Sequence, residues 1–359
     1  MRAGIPAAAA LAVAAAALSV QAHELPLGDG KISTTPRTGY LMSCVRHWRG
    51  GPVHTGPWIH DAEWNPAAKP RVRGDVAWPT HRISISVRGG ERIISANNLP
   101  DHGTGVFPIA PSDPAYRYDH NPNPIRPQDI LLKLPLRPSV AAQPTCVPMG
   151  MIGFTTDGVA LYNAVDNGGI DAMAHEVQDR CNGHPQHRGQ YHYHGPSPCM
   201  PDEKTSGLVG YALDGFGIYG ARDRATGRLL TDADLDACHG RTSPVLWDGK
   251  RVTMYHYVLT FEYPYTVGCF RGTPVAADFR AQQVRQMRHE PGAMPRRSGP
   301  GAHAGGPGRL QRAARILGVS PRTLREALGP PPPDLRAAAR KLGVTVQALR
   351  RALDAQGRG

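Results

Sequence analysis

After its first 22 residues the chain has no apolar run long enough to cross a bilayer, which takes roughly 20 residues. Helix signals are also scarce before residue 280. Residues 1–279 have no net charge, with 25 Asp and Glu against 25 Arg and Lys. The first lack predicts a protein without a transmembrane segment. The second points away from a helical bundle as the main architecture. The third places the chain's formal charge of +12 entirely in residues 280–359, which hold 16 Arg and Lys against 4 Asp and Glu. Electrostatic attraction to anionic polymers or membrane surfaces is therefore expected of the tail alone.

The beginning of the chain has the parts of a secretory leader. Arg2 supplies the positive charge, residues 7–20 the apolar run, and Val20-Gln21-Ala22 the small residues of a cleavage site. Cleavage after Ala22 predicts a secreted, periplasmic or cell-surface protein. It would expose His23 as a new N-terminus, whose amine and imidazole could share one copper ion. Export also decides the chemistry of the six cysteines, since an even count in an oxidising compartment reads as disulfides. Sequence proximity favours Cys181–Cys199 and Cys238–Cys269, which leaves Cys44–Cys146.

Residues 23–279 read as one mainly β, loop-rich, disulfide-held domain. Its apolar segments are short and β-branched, and Ile83 to Val87 alternates apolar with polar, as a half-buried strand does. Gly89-Gly90, Asp157-Gly158 and Asp248-Gly249 mark turns. Helix is expected over 171–180, with a short turn capped by Thr231. Residues 280–308 are rich in Gly, Pro and Arg and predict a disordered linker. Residues 309–359 carry a separate α-helical tail built from a repeat: 313–328 aligns with 338–353 at an offset of 25. Each copy reads as two helices around a turn, with Gly318 and Gly343 closing the first helix and Ser320 and Thr345 capping the second. The repeat resembles the helix-turn-helix of DNA-binding proteins, but export argues against a nucleic-acid target. Hairpins that associate with each other, a partner or an anionic surface are the plainer reading.

The chemistry concentrates in residues 181–199, where Tyr191-His192-Tyr193-His194 sits between Cys181 and Cys199. On a strand, side chains alternate faces, so His192 and His194 point one way and the tyrosines the other. Seven histidines fall between residues 175 and 256. Burying imidazoles is costly unless their nitrogens are satisfied. One solution is a transition metal, with zinc and copper both suited to imidazole. The ligands would be His192 and His194, completed by His184 or His256. The other solution is hydrogen bonding to tyrosines and backbone. On the expected helix, His175 and Asp179 share a face, and Glu176 is a candidate general base beside a metal. Asp214 is a candidate for orienting a ligand histidine. Tyr191, Tyr193, Tyr255 and Tyr257 are expected to pack and to donate one hydrogen bond each.

Several motifs resemble the YHYH protein family. They are Cys181-Asn182-Gly183-His184-Pro185, Gly189 to His194, and Leu213-Asp214-Gly215-Phe216-Gly217-Ile218-Tyr219-Gly220. Ala174 to Asp179, Asp236 to Gly240 and Tyr255-His256-Tyr257 fit the same pattern. The resemblance spans most of residues 30–275 and implies a shared domain. Three functions stay open: a metal-dependent enzyme, a metal-binding or storage module, and a structural surface protein.

Overall fold

In the computed structural model, Gly89 and Gly90 both take positive φ (60° and 79°), as do Asp248 and Gly249 (48° and 77°). These are two-residue hairpin turns, which need residues that tolerate left-handed backbone. The described residues are 24–48, 50, 53–200, 207–275, 313–314, 316–328 and 335–354. The expected leader 1–22, His23 and the expected linker 280–308 lie outside them.

The first turn joins β1 (Ile83–Arg88) to β2 (Glu91–Ala96), and β3 (Ile130–Pro135) completes an antiparallel sheet of three strands. β2 and β3 bury alternate residues, among them Ile94, Ala96, Ile130, Leu132 and Leu134. β1 keeps the expected alternation of type but not of burial. It is the edge strand, and Ile85 and Val87 remain 38 % and 55 % exposed.

The larger sheet has eight strands. In chain order they are β4 (Met151–Thr155), β5 (Ala160–Tyr162), β6 (Gly183–Pro185), β7 (Tyr191–Tyr193), β8 (Leu208–Ala212), β9 (Gly217–Gly220), β10 (Gly240–Trp247) and β11 (Lys250–Leu259). Their order across the sheet is β6-β7-β5-β4-β8-β9-β11-β10. β5–β7 and β9–β11 pair in parallel and the other neighbours antiparallel. All five residues of β4 are buried, so this strand reads as a continuous apolar run because both of its faces are covered. Phe154, Tyr191, Tyr193, Phe216 and Tyr257 are among the large side chains of the core there, with Trp58 and Trp64 from earlier in the chain.

Three disulfides, Cys44–Cys146, Cys181–Cys199 and Cys238–Cys269, tie the loops together. The second closes the loop that carries β6 and β7. A bridge of that span contributes about 3 kcal/mol in the chain-entropy account.

The helix expected over 171–180 is shorter. α1 covers only Ala172–His175. Asp171 caps it by accepting from the amides of Met173 and Ala174 (3.1 and 3.3 Å). It stops because the next residues turn extended: Glu176 has ψ 134°, and Val72 N–H donates to the Gln178 carbonyl (3.0 Å). His175 and Asp179 therefore do not share a helix face.

The tail forms a unit of its own. It contains α2 (Pro321–Leu328), α3 (Leu335–Leu342) and α4 (Val346–Asp354). Gly318 and Gly343 adopt left-handed backbone (φ 69° and 65°) at the repeat turns. Ser320 Oγ accepts from Thr323 N–H (3.0 Å), and Thr345 Oγ1 from Ala348 N–H (3.1 Å). Both copies feed one apolar cluster, with Leu324 and Ala327 from the first and Ala339, Leu349 and Ala352 from the second. Removing either cap, Ser320→Ala or Thr345→Ala, should lower the tail's stability by about 1 kcal/mol, read from thermal melts of helical circular dichroism. Among the described residues no helix is long and apolar enough to cross a membrane.

Candidate metal centre

β6 and β7 form an antiparallel hairpin in which His184 stands directly opposite His192. Residues in that position share a face. His194 follows His192 by two residues, so it too falls on this face. The loop after α1 brings Glu176 to the same place. One ligand atom from each of Glu176, His184, His192 and His194 lies within 4.8 Å of every other. The three rings are almost fully buried, while the Glu176 side chain is 23 % exposed. The exposed part of Glu176 is not the oxygen that faces the rings, because Oε2 is buried.

The hydrogen positions follow from the neighbours. His192 Nδ1 is 3.1 Å from the Gln190 carbonyl, and His194 Nδ1 is 2.5 Å from the Asn163 carbonyl. A carbonyl only accepts, so each Nδ1 carries a hydrogen and each neutral Nε2 is a bare lone pair. Yet the two Nε2 atoms are 3.1 Å apart, and Glu176 Oε2 is 2.9 Å from that of His194. His184 Nε2 is 3.1 Å from the same oxygen. These carboxylate contacts are within ion-pair reach, but their angles make no hydrogen bond. Both nitrogens of His184 and Oε2 of Glu176 are buried without a hydrogen-bond partner. Leaving one such atom unsatisfied costs about 1–3 kcal/mol. Acceptors that converge without a donor need a cation between them, either a proton or a metal ion.

Without a metal, a shared proton is the remaining answer. Burial opposes charge on His194, but the Glu176 carboxylate and the Asn163 carbonyl raise its pKa above the usual histidine value. Burial, with His184 and His194 beside it, holds His192 well below that value and keeps it neutral. Burial would raise Glu176, but the charges of His184 and His194 hold it well below the usual carboxylate range.

Outer contacts fix the rings. Tyr162 at the end of β5 stacks on His192, with centroids 3.9 Å apart, and meets His194 edge-on at 5.9 Å. Its hydroxyl donates to Gln190 Oε1 (2.6 Å), and burial pushes the phenol up to about 12. Gln190 Nε2 in turn donates to Asn98 Oδ1 (3.2 Å). Asn163 is held by its own side chain, which donates to the Pro148 carbonyl (2.7 Å).

The segment that places Glu176 is tied down similarly. The carbonyls at the end of α1 accept from three side chains: Ala172 from Gln178 Nε2 (3.1 Å), Met173 from Lys69 Nζ (2.5 Å) and Ala174 from Trp58 Nε1 (2.9 Å).

Residues 131–229 match the model of a family described as YHYH protein. This stretch is a YHYH domain. It contains Glu176, His184, His192 and His194, the whole cluster, and the family's name describes β7 with the residue that follows it. No curated protein and no solved structure matches the chain.

Three expected site residues are placed elsewhere. His256 lies on β11, five strand steps from β7, about 24 Å at the usual spacing. Its Nδ1 faces the Met254 carbonyl (3.1 Å), and Tyr219 packs edge-on against its ring. Asp214 orients no ligand histidine. It accepts from Tyr257 Oη (2.6 Å) and from the amides of Gly272 and Phe216 (2.9 and 3.3 Å), which holds the β8–β9 turn. His175 points away from the YHYH strand, with Nδ1 at the His54 carbonyl (2.8 Å) and Nε2 at Asp29 (2.9 Å). Glu176 is present in the cluster, but at ligand distance rather than set back as a base.

The tyrosines stand on the opposite face of β7. Tyr191 donates to Asp179 (2.9 Å) and Tyr193 to Asp157 (3.0 Å). Tyr255 and Tyr257 follow the same rule with Asp236 and Asp214. Burial and the neighbouring carboxylates raise the Tyr191 and Tyr193 phenols well above the usual value. They pack and hydrogen bond away from the three cluster histidines, and the Tyr193 hydroxyl also meets His102 Nε2 (2.5 Å). Local sequence pattern does not mark Tyr162, because it reaches the cluster from another strand, by parallel pairing of β5 with β7.

Proposed function

We propose that this chain is an exported metalloprotein whose YHYH domain holds one transition-metal ion between His184, His192, His194 and Glu176. The observation that carries this reading is the lone-pair geometry. Two Nε2 atoms with fixed tautomers, an unpartnered imidazole and an unpartnered carboxylate oxygen meet at one point. Three imidazoles and one carboxylate suit zinc or copper. Four protein donors fill a tetrahedral shell, which favours a binding or structural centre. The exposure of Glu176 favours a second reading, in which the carboxylate yields a position to substrate and the ion acts as a Lewis acid. The test is elemental analysis of protein secreted by its own host and purified without metal-affinity resin. One equivalent of zinc or copper per chain is expected, and substoichiometric traces of several metals would refute the reading.

Binding should depend on pH in a defined direction. In the metal-free chain, His194 holds a proton up to a pH above the ordinary histidine value. The ion must displace it, so apparent affinity should fall about tenfold per unit as pH drops below that pKa and level off above it. Metal titrations across pH 5 to 8 would read this.

The tail is proposed as a separate, charge-driven module for anionic polymers or membrane surfaces. Arg322, Arg325, Arg340 and Lys341 are exposed on its helices. A chain ended at residue 279 should keep the cooperative melt of the domain. Binding of the intact chain to heparin or anionic vesicles should weaken steeply with salt; salt-independent binding would contradict a charge-driven role.

A further inference from the structure

A cavity of about 180 Å³ borders α1 on the side of Lys69. Leu25, Trp64, Met173 and Phe261 give it apolar walls, and Lys69 and Arg71 bring two cationic side chains, while the carboxylate of Asp179, also on the lining, is taken up by Tyr191 and the amides of Gly105 and Cys181. Lys69 is only 8 % exposed, whereas Arg71 is exposed. Among the described residues no carboxylate lies within ion-pair distance of Lys69 Nζ. The amine has two partners instead, the Met173 carbonyl and Gln178 Oε1, each at 2.5 Å. The Gln178 amide is oriented independently, because its Nε2 donates to the Ala172 carbonyl (3.1 Å). Two acceptors match the two hydrogens of a neutral amine and leave its lone pair free. An ammonium would have a third N–H to satisfy, with the face of Trp64 at 5.6 Å as its neighbour.

We propose that Lys69 is a nucleophilic amine that condenses with a small carbonyl-bearing carboxylic acid in this cavity, the carboxylate being received by Arg71. The lone pair of Nζ adds to the carbonyl carbon. The carbonyl oxygen then leaves as water with the two amine hydrogens, and a C=N bond remains. A proton taken from solvent gives the imine one N–H for Met173 or Gln178. Burial, with Arg71 acting in the same direction and the Asp171 and Glu176 charges against it, brings the amine down to about 7. It is therefore partly neutral near physiological pH.

The test uses the full-length protein at pH 7 with glyoxylate and cyanoborohydride, followed by peptide mapping. Reductive trapping should add one carboxymethyl group at Lys69. The rate should exceed that at the exposed Lys133 and Lys250 on the order of a hundredfold. It should rise with pH and flatten above about 7. Arg71→Ala should slow labelling by glyoxylate much more than labelling by acetaldehyde, which loses only the Arg71 charge that favours the neutral amine. Labelling of Lys133 and Lys250 with Lys69 untouched would overturn the proposal. Equal slowing of both reagents by Arg71→Ala would overturn the carboxylate assignment.

Discussion

The double variant His192→Ala, His194→Ala is expected to lose its bound metal entirely while the domain remains folded. Two of the four donors disappear, and loss of even an outer contact to a metal ligand costs about 10–100-fold in affinity. The fold does not depend on these rings. The domain is large enough to bury a full core, and three disulfides brace it. In metal-free buffer the melt should fall yet stay cooperative, since the substitutions relieve the unpaired Nε2 acceptors but empty buried space beside Tyr162 and orphan the Gln190 and Asn163 carbonyls. The decisive difference should emerge when metal is added. At about 1,000 times the dissociation constant, binding stabilises the wild-type chain by roughly 4 kcal/mol. Its melting temperature should rise, and that of the variant should stay where it is. A variant that retains stoichiometric metal would contradict the assignment.

Asp171→Ala should be the most destabilising single change near the centre. Asp171 is fully buried and accepts from four donors. These are Gly28 N–H (2.9 Å), Met173 N–H (3.1 Å), Ala174 N–H (3.3 Å) and Tyr265 Oη (2.7 Å). Alanine strips the cap from α1 and orphans the Gly28 amide and the Tyr265 hydroxyl inside the protein. A lost cap costs about 1 kcal/mol and each buried orphan about 1–3 kcal/mol, so a loss of roughly 3–7 kcal/mol is expected in denaturant unfolding. Metal affinity should fall too, because α1 leads directly into Glu176. A loss under about 1 kcal/mol would mean that the amides and the hydroxyl find other partners.

The part of this site carried by strand periodicity is legible in the sequence. His192 and His194 are two residues apart, and β alternation alone puts them together. The pairing of the cysteines follows from their spacing, and the three Gly turns from their composition. His184 was one of two alternatives for a third ligand, and hairpin register decides between them by setting it opposite His192. His256 sits in a Tyr-His-Tyr strand much like β7, so local pattern could not separate the two. What separates them is strand order across the sheet, which depends on long-range pairing. Glu176 was visible as an acid beside a histidine but suggested a helical base. Its true position follows from the early end of α1, where the chain leaves the helix to pair with Val72, a contact between residues about a hundred apart. Tyr162 and Asn163 belong to the same class of contact.

The central claim is that four side chains enclose one metal ion, and anomalous diffraction from crystals of natively loaded protein tests it most directly. Data on either side of the zinc and copper absorption edges should give a single peak about 2.0–2.2 Å from imidazole nitrogens of His184, His192 and His194 and from a Glu176 oxygen. No peak among these four residues in protein that carries a full equivalent of metal would contradict the account.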